Sequence, residues 1–506
     1  MENISKMRQL WLAFCFLLTT LQHLALGLDK VKLDANGNFV DAQEMVLLMH
    51  GFNAVQKSPP WYPAQMLNRT QLMMFQSWGI NVVRLGVMWP GVMPRKNAVD
   101  FNYMKQLEAI VDNCAEFDIY VLLDMHQDVL SSQFGTYDGL PLWFVEEICE
   151  PNSSFSYPWP FSEPPENWFE NYLTYACADC AEQLYQNTLG AWRYWGDFWE
   201  AVVRQFRHKP NVLGYELINE PPPSNFYKNP LHALPGYVGR VQLLPVYDYL
   251  VKRIRQLDSE TLIFYEPLTY GVFLPAGFLE TGTGFTHVPG WFSDPTETRR
   301  SVLSYHYYCW LLQTVDPRRS MSEAERIICD SVLMPSVFRN SRASIKQTGG
   351  AMFLTEFGLC GPDGNPDSIN TVECNAVLAM ADRHFQSWAY WDGNFLDETG
   401  NPIPTQVQSF IRAYPKKTNG LPNTLSFNQD TSEFHYTFKM APLPVNQQTK
   451  IAEIFVPTQV HYPQGPKITI QPASLLTSFK DNHLRISVPV HWNSSDNNVI
   501  VSITKG

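Results

Sequence analysis

The stretch VLGYELINEP, residues 212–221, is the part of the chain from which the fold is most directly inferred. The run is apolar on both faces, which is typical of a strand buried on both sides of a sheet. It ends on Asn219 and Glu220, and Pro221 then prevents the strand from continuing. A carboxylate at the end of a buried strand indicates a charge held at the mouth of a cavity.

Seven further short apolar runs between residues 45 and 393 are also of strand length. They are residues 45–53, 81–89, 119–128, 262–268, 301–308, 352–358 and 387–393. Several segments between them have helical periodicity, for example that of Val246, Leu250 and Ile254. Strand and helix alternating eight times predict a (β/α)8 TIM barrel, an α/β fold. A doubly wound open sheet is the alternative, but no glycine-rich phosphate loop follows the first run.

The chain continues well beyond these eight runs. Residues 416–423, KKTNGLPN, predict a turn-rich linker, and short alternating runs follow it. We therefore expect a catalytic barrel over residues 28–415 and a small antiparallel β-sandwich over residues 416–506. The sandwich is either a domain that only packs against the barrel or a carbohydrate-binding module. The net charge of −12 argues against nucleic acid as a partner.

The N-terminus has the pattern of a targeting segment. Lys6 and Arg8 precede an apolar run at residues 10–18, and the Ala-Leu-Gly of residues 25–27 fits a cleavage site. We expect residues 1–27 to be a signal peptide and the protein to be secreted or lysosomal. The alternative is a membrane anchor, for which the apolar run is short.

Entry into the secretory pathway makes disulfide bonds and glycans possible. Cys114 lies on the apolar face of a helical pattern and is predicted to be a buried free thiol. Since eight cysteines remain after the signal peptide, at least one other would then also be unpaired. Cys309 with Cys329 and Cys360 with Cys374 are plausible local pairs, although sequence does not determine connectivity. The glycosylation sequons are at Asn68, Asn152 and Asn493.

Polar and aromatic side chains gather at the C-terminal ends of the eight runs. They include His50, Asn53, Arg84, Trp89, Asp124, His126, Asp128, Asn219, Glu220, Glu266, His306, Tyr308, Glu356, Trp388 and Trp391. In a parallel barrel these ends open on one face, where barrel enzymes carry out their chemistry. Glu220 and Glu356 follow the fourth and seventh strands, so we expect them to face each other. Glycoside hydrolysis requires two such carboxyl groups, one protonated by burial and one kept ionised, here beside Arg84.

Asn219, Glu220 and Pro221, together with TEFG at residues 355–358, resemble the motifs of glycoside hydrolase family 5, a retaining family. The resemblance covers roughly residues 40–415 and extends to the strand-end residues Arg84, His126, His306, Tyr308 and Trp391. Within that family, GFNAVQKSPPWYP at residues 51–63 and LLDMHQDVLSSQFGTYDGLPLW at residues 122–143 resemble endoglycoceramidases. Those enzymes release the whole glycan from the ceramide of a glycosphingolipid, and their two-domain build matches the expected sandwich.

The resemblance implies a role for each residue at the strand ends. Glu220 is the general acid/base and Glu356 the nucleophile, while Asn219 holds the sugar 2-hydroxyl. His306 and Tyr308 orient the nucleophile. The remaining substrate-binding residues are Lys57, Arg84, His126, Asp128 and Trp391. No cofactor and no metal are implied, and we interpret Glu266 as a supporting carboxylate.

The lipid half of such a substrate requires an apolar surface. Residues 270–291 contain Phe273, Leu274, Phe278, Leu279 and Phe285 with few charges. An exposed patch of this kind usually marks a partner or membrane surface, and the alternative is packing within the loop. We expect transient contact with a membrane or micelle and leave open a requirement for an activator protein or detergent.

Three other functions fit parts of the sequence. A retaining β-glucosidase, glucosylceramidase or β-glucanase of the same family would need the same two carboxylates. A catalytically inactive glycolipid-binding protein would not need them. A metal-dependent hydrolase could use Asp124, His126 and Asp128, but the other strand ends offer no credible further ligands.

Overall fold

A computed structural model describes residues 27–135, 139–277, 279–393, 395–443, 447–492 and 497–506. Residues 1–26 of the predicted signal peptide, Phe278 of the apolar loop and the sequon Asn493 lie outside the described residues. In the part of the chain that is described, none of the helices combines the length and apolar character needed to cross a membrane.

The strands are numbered in chain order. They are β1 (Lys32–Leu33), β2 (Phe39–Val40), β3 (Val46–Leu47), β4 (His50–Ala54), β5 (Val82–Gly86), β6 (Tyr120–Asp124), β7 (Val212–Glu216), β8 (Leu262–Tyr265), β9 (Ser301–Tyr307), β10 (Ala351–Phe357), β11 (Trp388–Tyr390), β12 (Tyr414–Thr418), β13 (Gly420–Phe427), β14 (Phe434–Met440), β15 (Thr449–Phe455), β16 (Pro466–Gln471), β17 (Leu476–Lys480), β18 (His483–Val488) and β19 (Asn498–Lys505).

The longer helices connect the strands from β4 to β12. They are α1 (Arg69–Ser77), α2 (Phe101–Glu116), α3 (Tyr175–Tyr185), α4 (Ala191–Phe206), α5 (Leu244–Arg255), α6 (Met334–Thr348), α7 (Ile369–His384) and α8 (Pro404–Phe410). Shorter α-helical turns are Trp89–Val92, Leu142–Phe144, Pro235–Val238, Glu323–Arg326 and Thr458–His461, and π-helical turns are Val145–Cys149, Gly239–Leu243 and Ile327–Leu333. The 3-10 turns are Ala64–Leu67, Ser132–Phe134, Glu150–Asn152, Trp168–Leu173, Thr188–Gly190, Pro230–Ala233, Thr269–Val272, Pro295–Arg299 and Trp310–Leu312.

Strands β4 to β11 are parallel and form a closed barrel. The barrel closes because β11 pairs with β4, with Trp388 opposite His50. The expected TIM barrel is therefore confirmed, and the open doubly wound sheet is excluded. Each barrel strand is buried along its whole length, as expected when helices cover the outer face and side chains fill the inner one.

Helix α2 illustrates how sequence pattern produces the outer layer. Asp100 caps its N-terminus by accepting hydrogen bonds from the backbone N–H groups of Asn102 and Tyr103, at 2.9 and 3.1 Å. Its buried residues include Met104, Leu107, Ile110, Val111 and Cys114, which recur with the helical period. The helix packs this face against the barrel, so the prediction of a buried Cys114 is confirmed.

The first predicted run, residues 45–53, is not one strand. Val46–Leu47 pairs with Thr418 and Lys417 of β12, outside the barrel, whereas His50–Ala54 is the first barrel strand. Both segments are apolar and largely buried, so hydrophobicity alone could not separate them. The predicted linker at residues 416–423 is also wrong. Most of it belongs to strands β12 and β13, in which Lys416, Lys417 and Pro422 are half-buried.

The C-terminal part forms two antiparallel sheets, as expected for a small β-sandwich. One sheet has the order β1-β2-β3-β12-β15-β18-β17, and the other β13-β14-β19-β16. The first sheet thus includes the N-terminal strands, which the sequence analysis placed in the barrel domain. The boundary at residue 415 stays a prediction, but the chain that precedes the barrel pairs with the chain that follows it.

The described part of the chain contains disulfides between Cys149 and Cys180, Cys309 and Cys329, and Cys360 and Cys374. The last two are the local pairs expected from sequence, with Cα–Cα distances of 5.6 and 5.7 Å. Cys114 and Cys177 are buried free thiols, in agreement with the parity argument. Cys309 and Cys360 come shortly after β9 and β10, so both disulfides brace loops at the same end of the barrel.

Candidate active site

The C-terminal ends of the barrel strands surround a cleft of about 460 Å³. Most of the predicted site residues line it, namely Lys57, His126, Asp128, Glu220, His306, Tyr308, Glu356 and Trp391. The other two, Arg84 and Asn219, are buried beneath its floor. The barrel therefore brings together all ten predicted side chains, which lie up to 334 residues apart in the sequence, between Lys57 and Trp391.

Glu220 and Glu356 face each other across this cleft. Their nearest carboxylate oxygens lie within 4.8 Å of each other, with a nitrogen of His306 at similar range. Carboxyl groups about 5–5.5 Å apart are typical of glycosidases that retain anomeric configuration, whereas inverting enzymes need roughly 6.5–9.5 Å to admit a water. The spacing leaves room for a glycosidic bond but not for an interposed water.

Each oxygen of Glu356 accepts a hydrogen bond. Arg84 donates from Nη1 to Oε1 at 2.6 Å, and the Tyr308 hydroxyl donates to Oε2 at 2.7 Å. Burial, with the negative charge of Glu356 adding to it, raises the pKa of Tyr308 well above its ordinary value. Tyr308 therefore keeps its proton and remains a donor. Both oxygens of Glu356 are fixed, which positions it for attack on an anomeric carbon.

Glu220 is held mainly through its backbone. Strand β7 ends at Glu216, and Glu220 follows with a left-handed φ of +37°. Gln127 donates from Nε2 to the Glu220 carbonyl at 2.7 Å, and the Glu220 N–H donates to Glu266 at 3.2 Å. A non-glycine residue in this conformation is strained and persists only where its surroundings hold it. Gln127 and Glu266 therefore fix the direction in which the Glu220 side chain points.

The side chain of Glu220 lies in an environment suited to an acid. Burial raises the pKa of Glu220 above its ordinary value, the charge of Glu356 adds to this, and the hydrogen bond from His306 opposes it. His306 Nδ1 lies 2.7 Å from Glu220 and 3.5 Å from Glu356. His306 was expected to orient the nucleophile, but its short contact is with the acid/base.

Arg84 connects the nucleophile to the floor of the cleft. Its side chain is fully buried, and each guanidinium nitrogen has an acceptor. Besides Glu356, these acceptors are Glu216 at 2.5 Å from Nε, Asn53 at 3.0 Å from Nη1, and Asn219 at 2.8 Å and Asp124 at 3.2 Å from Nη2. The fork geometry of arginine explains why one side chain can orient so many partners.

Asn219 is oriented at both ends of its amide. Its Oδ1 accepts from Arg84, and its Nδ2 donates to the Gln127 carbonyl at 2.9 Å. The amide has a second N–H, which is the donor that a sugar 2-hydroxyl would use. Asn219 thus connects Arg84, which pairs with Glu356, to Gln127, which holds the backbone of Glu220.

A second chain of charges forms one wall of the cleft. Lys57 pairs with Asp128, and Asp128 lies 3.4 Å from His126 Nε2. The other ring nitrogen of His126, Nδ1, lies 2.8 Å from Asp124. Burial alone would lower the pKa of His126, but Asp124 and Asp128 raise it to about 10. The Trp391 ring stacks parallel to His126 with centroids 5.3 Å apart. This wall offers charged hydrogen-bonding groups beside an aromatic face, which suits a sugar.

Some of these side chains have possible metal-ligand atoms close to one another. Donor atoms lie within 4.8 Å of one another in two sets, Glu220 with His306 and Glu356, and Glu216 with Glu266 and His306. Arg84 and His306 already pair with these carboxylates, so the arrangement fits charge pairing between side chains better than binding of a metal cation. The proposed ligands Asp124 and Asp128 likewise face Arg84 and Lys57.

Several residues of the site were given no role from sequence. Asn53 was recognised only as a polar strand-end residue, and in the structure it orients Arg84. Glu216, which also orients Arg84, Gln127, which holds Glu220, and Ser304, which contacts Glu216, were not expected. Glu216 carried a usable signal, because an acidic residue in an otherwise apolar run requires a buried partner. Ser304 and Gln127 carried none, since a serine or glutamine does not by itself indicate a site.

Comparison with known proteins agrees with this geometry. The model of a family described as cellulase (glycosyl hydrolase family 5) matches residues 33–396, and that of the glycoside hydrolase family 5 C-terminal domain matches residues 412–504. The endoglycoceramidase of Cyanea nozakii is 29% identical over 477 residues, covering 87% of this chain and 86% of that protein. The endoglycoceramidase of Hydra vulgaris is 28% identical over 473 residues, covering 88% and 84%.

The fold is also found among solved structures. Endo-glycoceramidase II from Rhodococcus sp., in its ganglioside GM3 complex, has a TM-score of 0.72 at 20% identity and covers 92% of this chain and 99% of its own. The catalytic family model spans well over half of this chain and includes both Glu220 and Glu356. The resemblance expected from the strand-end motifs is thus confirmed, and the chain belongs to glycoside hydrolase family 5.

Proposed function

We propose that this protein is a retaining, endo-acting glycosidase that cleaves the β-glycosidic bond between the oligosaccharide and the ceramide of glycosphingolipids. The products are the intact glycan and ceramide. The observation that carries the proposal is the close approach of Glu220 and Glu356 in unlike surroundings. The names of the Cyanea and Hydra relatives support the choice of substrate class.

The geometry supports a two-step reaction. Glu220 donates its proton to the glycosidic oxygen while Glu356 attacks the anomeric carbon, so that ceramide leaves and a glycosyl-enzyme ester forms. Glu356 loses its negative charge as the ester forms, and its hydrogen bonds from Arg84 and Tyr308 weaken accordingly. Glu220, now ionised, then takes a proton from water, and the resulting hydroxide equivalent displaces Glu356 and frees the glycan. Glu356 attacks from the face opposite the leaving ceramide, and water attacks from the face that the ceramide occupied. Each step inverts the anomeric carbon, so the two steps together retain its configuration.

The cleft is chemically divided in a way that suits a glycolipid. Its charged wall carries Lys57 and Asp128, whereas the opposite lining includes Phe273, Trp310 and Leu359. Trp310 is 57% exposed and Leu359 41%. A soluble polysaccharide would gain little from such an apolar rim, whereas a ceramide would bury it favourably. This division favours the glycosphingolipid over the alternative of a β-glucanase.

Hydrolysis of a purified ganglioside and of glucosylceramide, with products identified by mass spectrometry, tests the proposal. We expect wild type to release intact oligosaccharide and ceramide from the ganglioside. The Glu356→Gln variant keeps the size and hydrogen bonding of the side chain but removes the nucleophile, and we expect it to be inactive. Glucose released from glucosylceramide with the ganglioside untouched would instead establish a glucosylceramidase.

We further propose that the loop at residues 270–291 contacts the membrane or micelle that holds the substrate. Leu274 and Leu279 are 57% and 61% exposed, whereas Phe285 is buried and packs against Tyr247 and Tyr265. Leu274 lies next to Phe273, which lines the cleft, so the exposed residues continue the apolar rim outward. Exposed apolar side chains grouped beside a site of this kind mark a binding surface.

The double change of Leu274→Ser and Leu279→Ser tests this contact. We expect it to reduce cleavage of micellar glycolipid by roughly tenfold or more, because each leucine contributes about 1.5–3 kcal/mol when buried. Cleavage of a soluble aryl glycoside should change little. Leu421→Ser, at an exposed position of the C-terminal sheet, is the matched control. Equal losses on both substrates would contradict membrane contact.

We propose a secretory route for the protein, ending outside the cell or in the lysosome. Asn68 and Asn152 are exposed, as glycan acceptors must be. Asn68 caps α1 through its Oδ1, so a glycan on Nδ2 leaves the cap intact. After expression in animal cells, enzymatic removal of N-glycans should increase gel mobility, and Asn68→Gln with Asn152→Gln should reduce that shift. An unshifted wild type would contradict the proposed route.

A further inference from the structure

A pair of buried carboxyl groups lies beneath the catalytic residues. Glu216 is fully buried and accepts hydrogen bonds from Arg84 Nε at 2.5 Å and from Ser304. Glu266 lies beside it, with Oε1 at 3.2 Å from His306 Nε2 and at 3.5 Å from Arg84 Nη2. The nearest carboxylate oxygens of Glu216 and Glu266 lie within 4.8 Å of each other. Two buried carboxyl groups at this separation repel each other when both are ionised, which favours a proton on one of them.

The charges on this side of the cleft do not balance without such a proton. The cations are Arg84 and, when protonated, His126 and His306. The carboxyl groups are Asp124, which contacts both Arg84 and His126, and Glu216, Glu220, Glu266 and Glu356, all within the same buried cluster. Before the first step Glu220 is protonated, which leaves four carboxylates against three cations. An uncompensated charge in a buried site is strongly unfavourable, so one further proton is required.

We propose that the pair of Glu216 and Glu266 holds one proton at the pH at which the enzyme works, and that this proton resides on Glu216. Glu266 is then the carboxylate that faces His306, and the charge of Arg84 is left to Glu356. Glu216 is thus a positioning residue, which orients Arg84 without competing for its charge. This assignment rests on the proposed roles of Glu220 and Glu356.

The surroundings favour Glu216 as the site of the proton. Burial raises the pKa of Glu216 to about 8, with Asp124 and Glu266 adding to the effect and Arg84 opposing it. Burial would also raise the pKa of Glu266, but His306 and Arg84 hold it below its ordinary value. The charged and polar groups that face Glu216 are Arg84 on β5, Asp124 on β6, Glu266 after β8, and Ser304 and His306 on β9.

Infrared difference spectroscopy tests the proton without any substrate. Glu216→Gln should remove a carboxylic-acid carbonyl band that wild type shows at about pH 5.5 and loses on titration toward high pH. Glu373→Gln is the matched control, since Glu373 is a second buried carboxyl with its pKa raised to about 8, and it should remove a different band. Identical spectra of wild type and Glu216→Gln would overturn the proposal. The outcome does not depend on which glycan the enzyme cleaves.

Kinetics on any hydrolysed β-glycoside provide the second test. Glu216→Leu cannot orient Arg84, and we expect kcat/KM to fall roughly 100-fold. Glu216→Gln supplies a permanently neutral group that accepts from Arg84, so it should restore most of that loss. It should also move the alkaline limb of the pH profile upward, because no proton is left to lose near pH 8. A folded Glu216→Gln as impaired as Glu216→Leu at every pH would show that Glu216 acts as a carboxylate.

Discussion

At the scale of single residues, Glu220 and Glu356 have the same side chain but different surroundings, and these give them different roles. Glu356 receives hydrogen bonds on both oxygens, from Arg84 and Tyr308, which fix its orientation. Glu220 is buried beside a like charge, which raises its pKa and favours its protonated form. This is the division of labour that a retaining glycosidase needs, one nucleophile and one acid.

The Glu220→Gln variant tests whether Glu220 is the proton donor. Without a proton donor, cleavage of substrates with poor leaving groups should slow by roughly 10²–10⁴-fold. An aryl glycoside with an acidic leaving group needs no proton, so formation of its glycosyl-enzyme should be nearly unaffected. Steady-state and burst kinetics on the two substrate types provide the measurement. Equal losses on both would mean that Glu220 is not the acid.

At the scale of elements, the loops that carry His306, Tyr308 and Glu356 are tied together behind the cleft. The disulfide between Cys309 and Cys329 joins β9 to the π-helical turn Ile327–Leu333, and that between Cys360 and Cys374 joins β10 to α7. Asp330 and Glu373, the neighbours of two of these cysteines, lie on the turn and on the helix, and burial raises the pKa of both carboxyl groups. The charge of Asp330 adds to the rise in the pKa of Glu373, so the two groups form an interacting carboxyl pair beside the disulfides.

This pair should make the stability of the fold depend on pH. Burial, and then Asp330, raises the pKa of Glu373 to about 8, above the value of about 4.5 expected when unfolded. The folded state thus binds a proton more tightly than the unfolded state. The contribution to stability is fully present at low pH and is lost as pH rises through the range from about 4.5 to 8.

Thermal unfolding of Glu373→Gln between those pH values is the corresponding measurement. Wild type should lose roughly 2–4 kcal/mol of unfolding free energy across the range, with Glu216 contributing to the loss as well. Glu373→Gln should be measurably less sensitive to pH, because its amide stays neutral. Glu323→Gln, at an exposed position just before the turn, is the control. Unchanged pH sensitivity in Glu373→Gln would exclude the pair as its source.

At the scale of the whole molecule, the C-terminal sheets and the barrel pack as one structure. The Tyr414 ring lies 3.8 Å from that of His50, and its hydroxyl donates to the Gly79 carbonyl at 2.5 Å. Phe455 presses on Gly79 so closely that a Cβ there would lie 2.5 Å from the ring. Strands β1 to β3 extend the same sheet from the other end of the chain. These contacts favour cooperative unfolding.

Phe455→Ala should therefore destabilise the barrel together with the sheet. Loss of a buried phenylalanine costs roughly 3–5 kcal/mol, and we expect a single calorimetric transition at a lower temperature. Phe479→Ala, which removes a ring that is 42% exposed, is the control and should change the midpoint little. Two separate transitions in wild type or in Phe455→Ala would mean that the two parts fold independently.

The fold class and the members of the site followed from the sequence. Strand-length runs and helical periodicity recur eight times, and a parallel barrel then brings all strand ends to one face. This is why Glu220, Glu356 and their expected partners meet at one cleft although they are far apart in the chain. The family motifs added the predicted roles, which periodicity cannot supply. The break within residues 45–53 was missed because both halves are apolar.

The protonation and orientation of the site were decided only by the tertiary structure. Arg84 meets carboxylates from four other strand ends, and the pKa of each depends on how many of the others are charged. The left-handed backbone of Glu220 likewise depends on Gln127 and Glu266, which come from other strands. Sequence determines which residues reach the barrel mouth because that requires only local periodicity. Which of them shares a proton depends on distances of a few ångströms between segments, and only packing sets those distances.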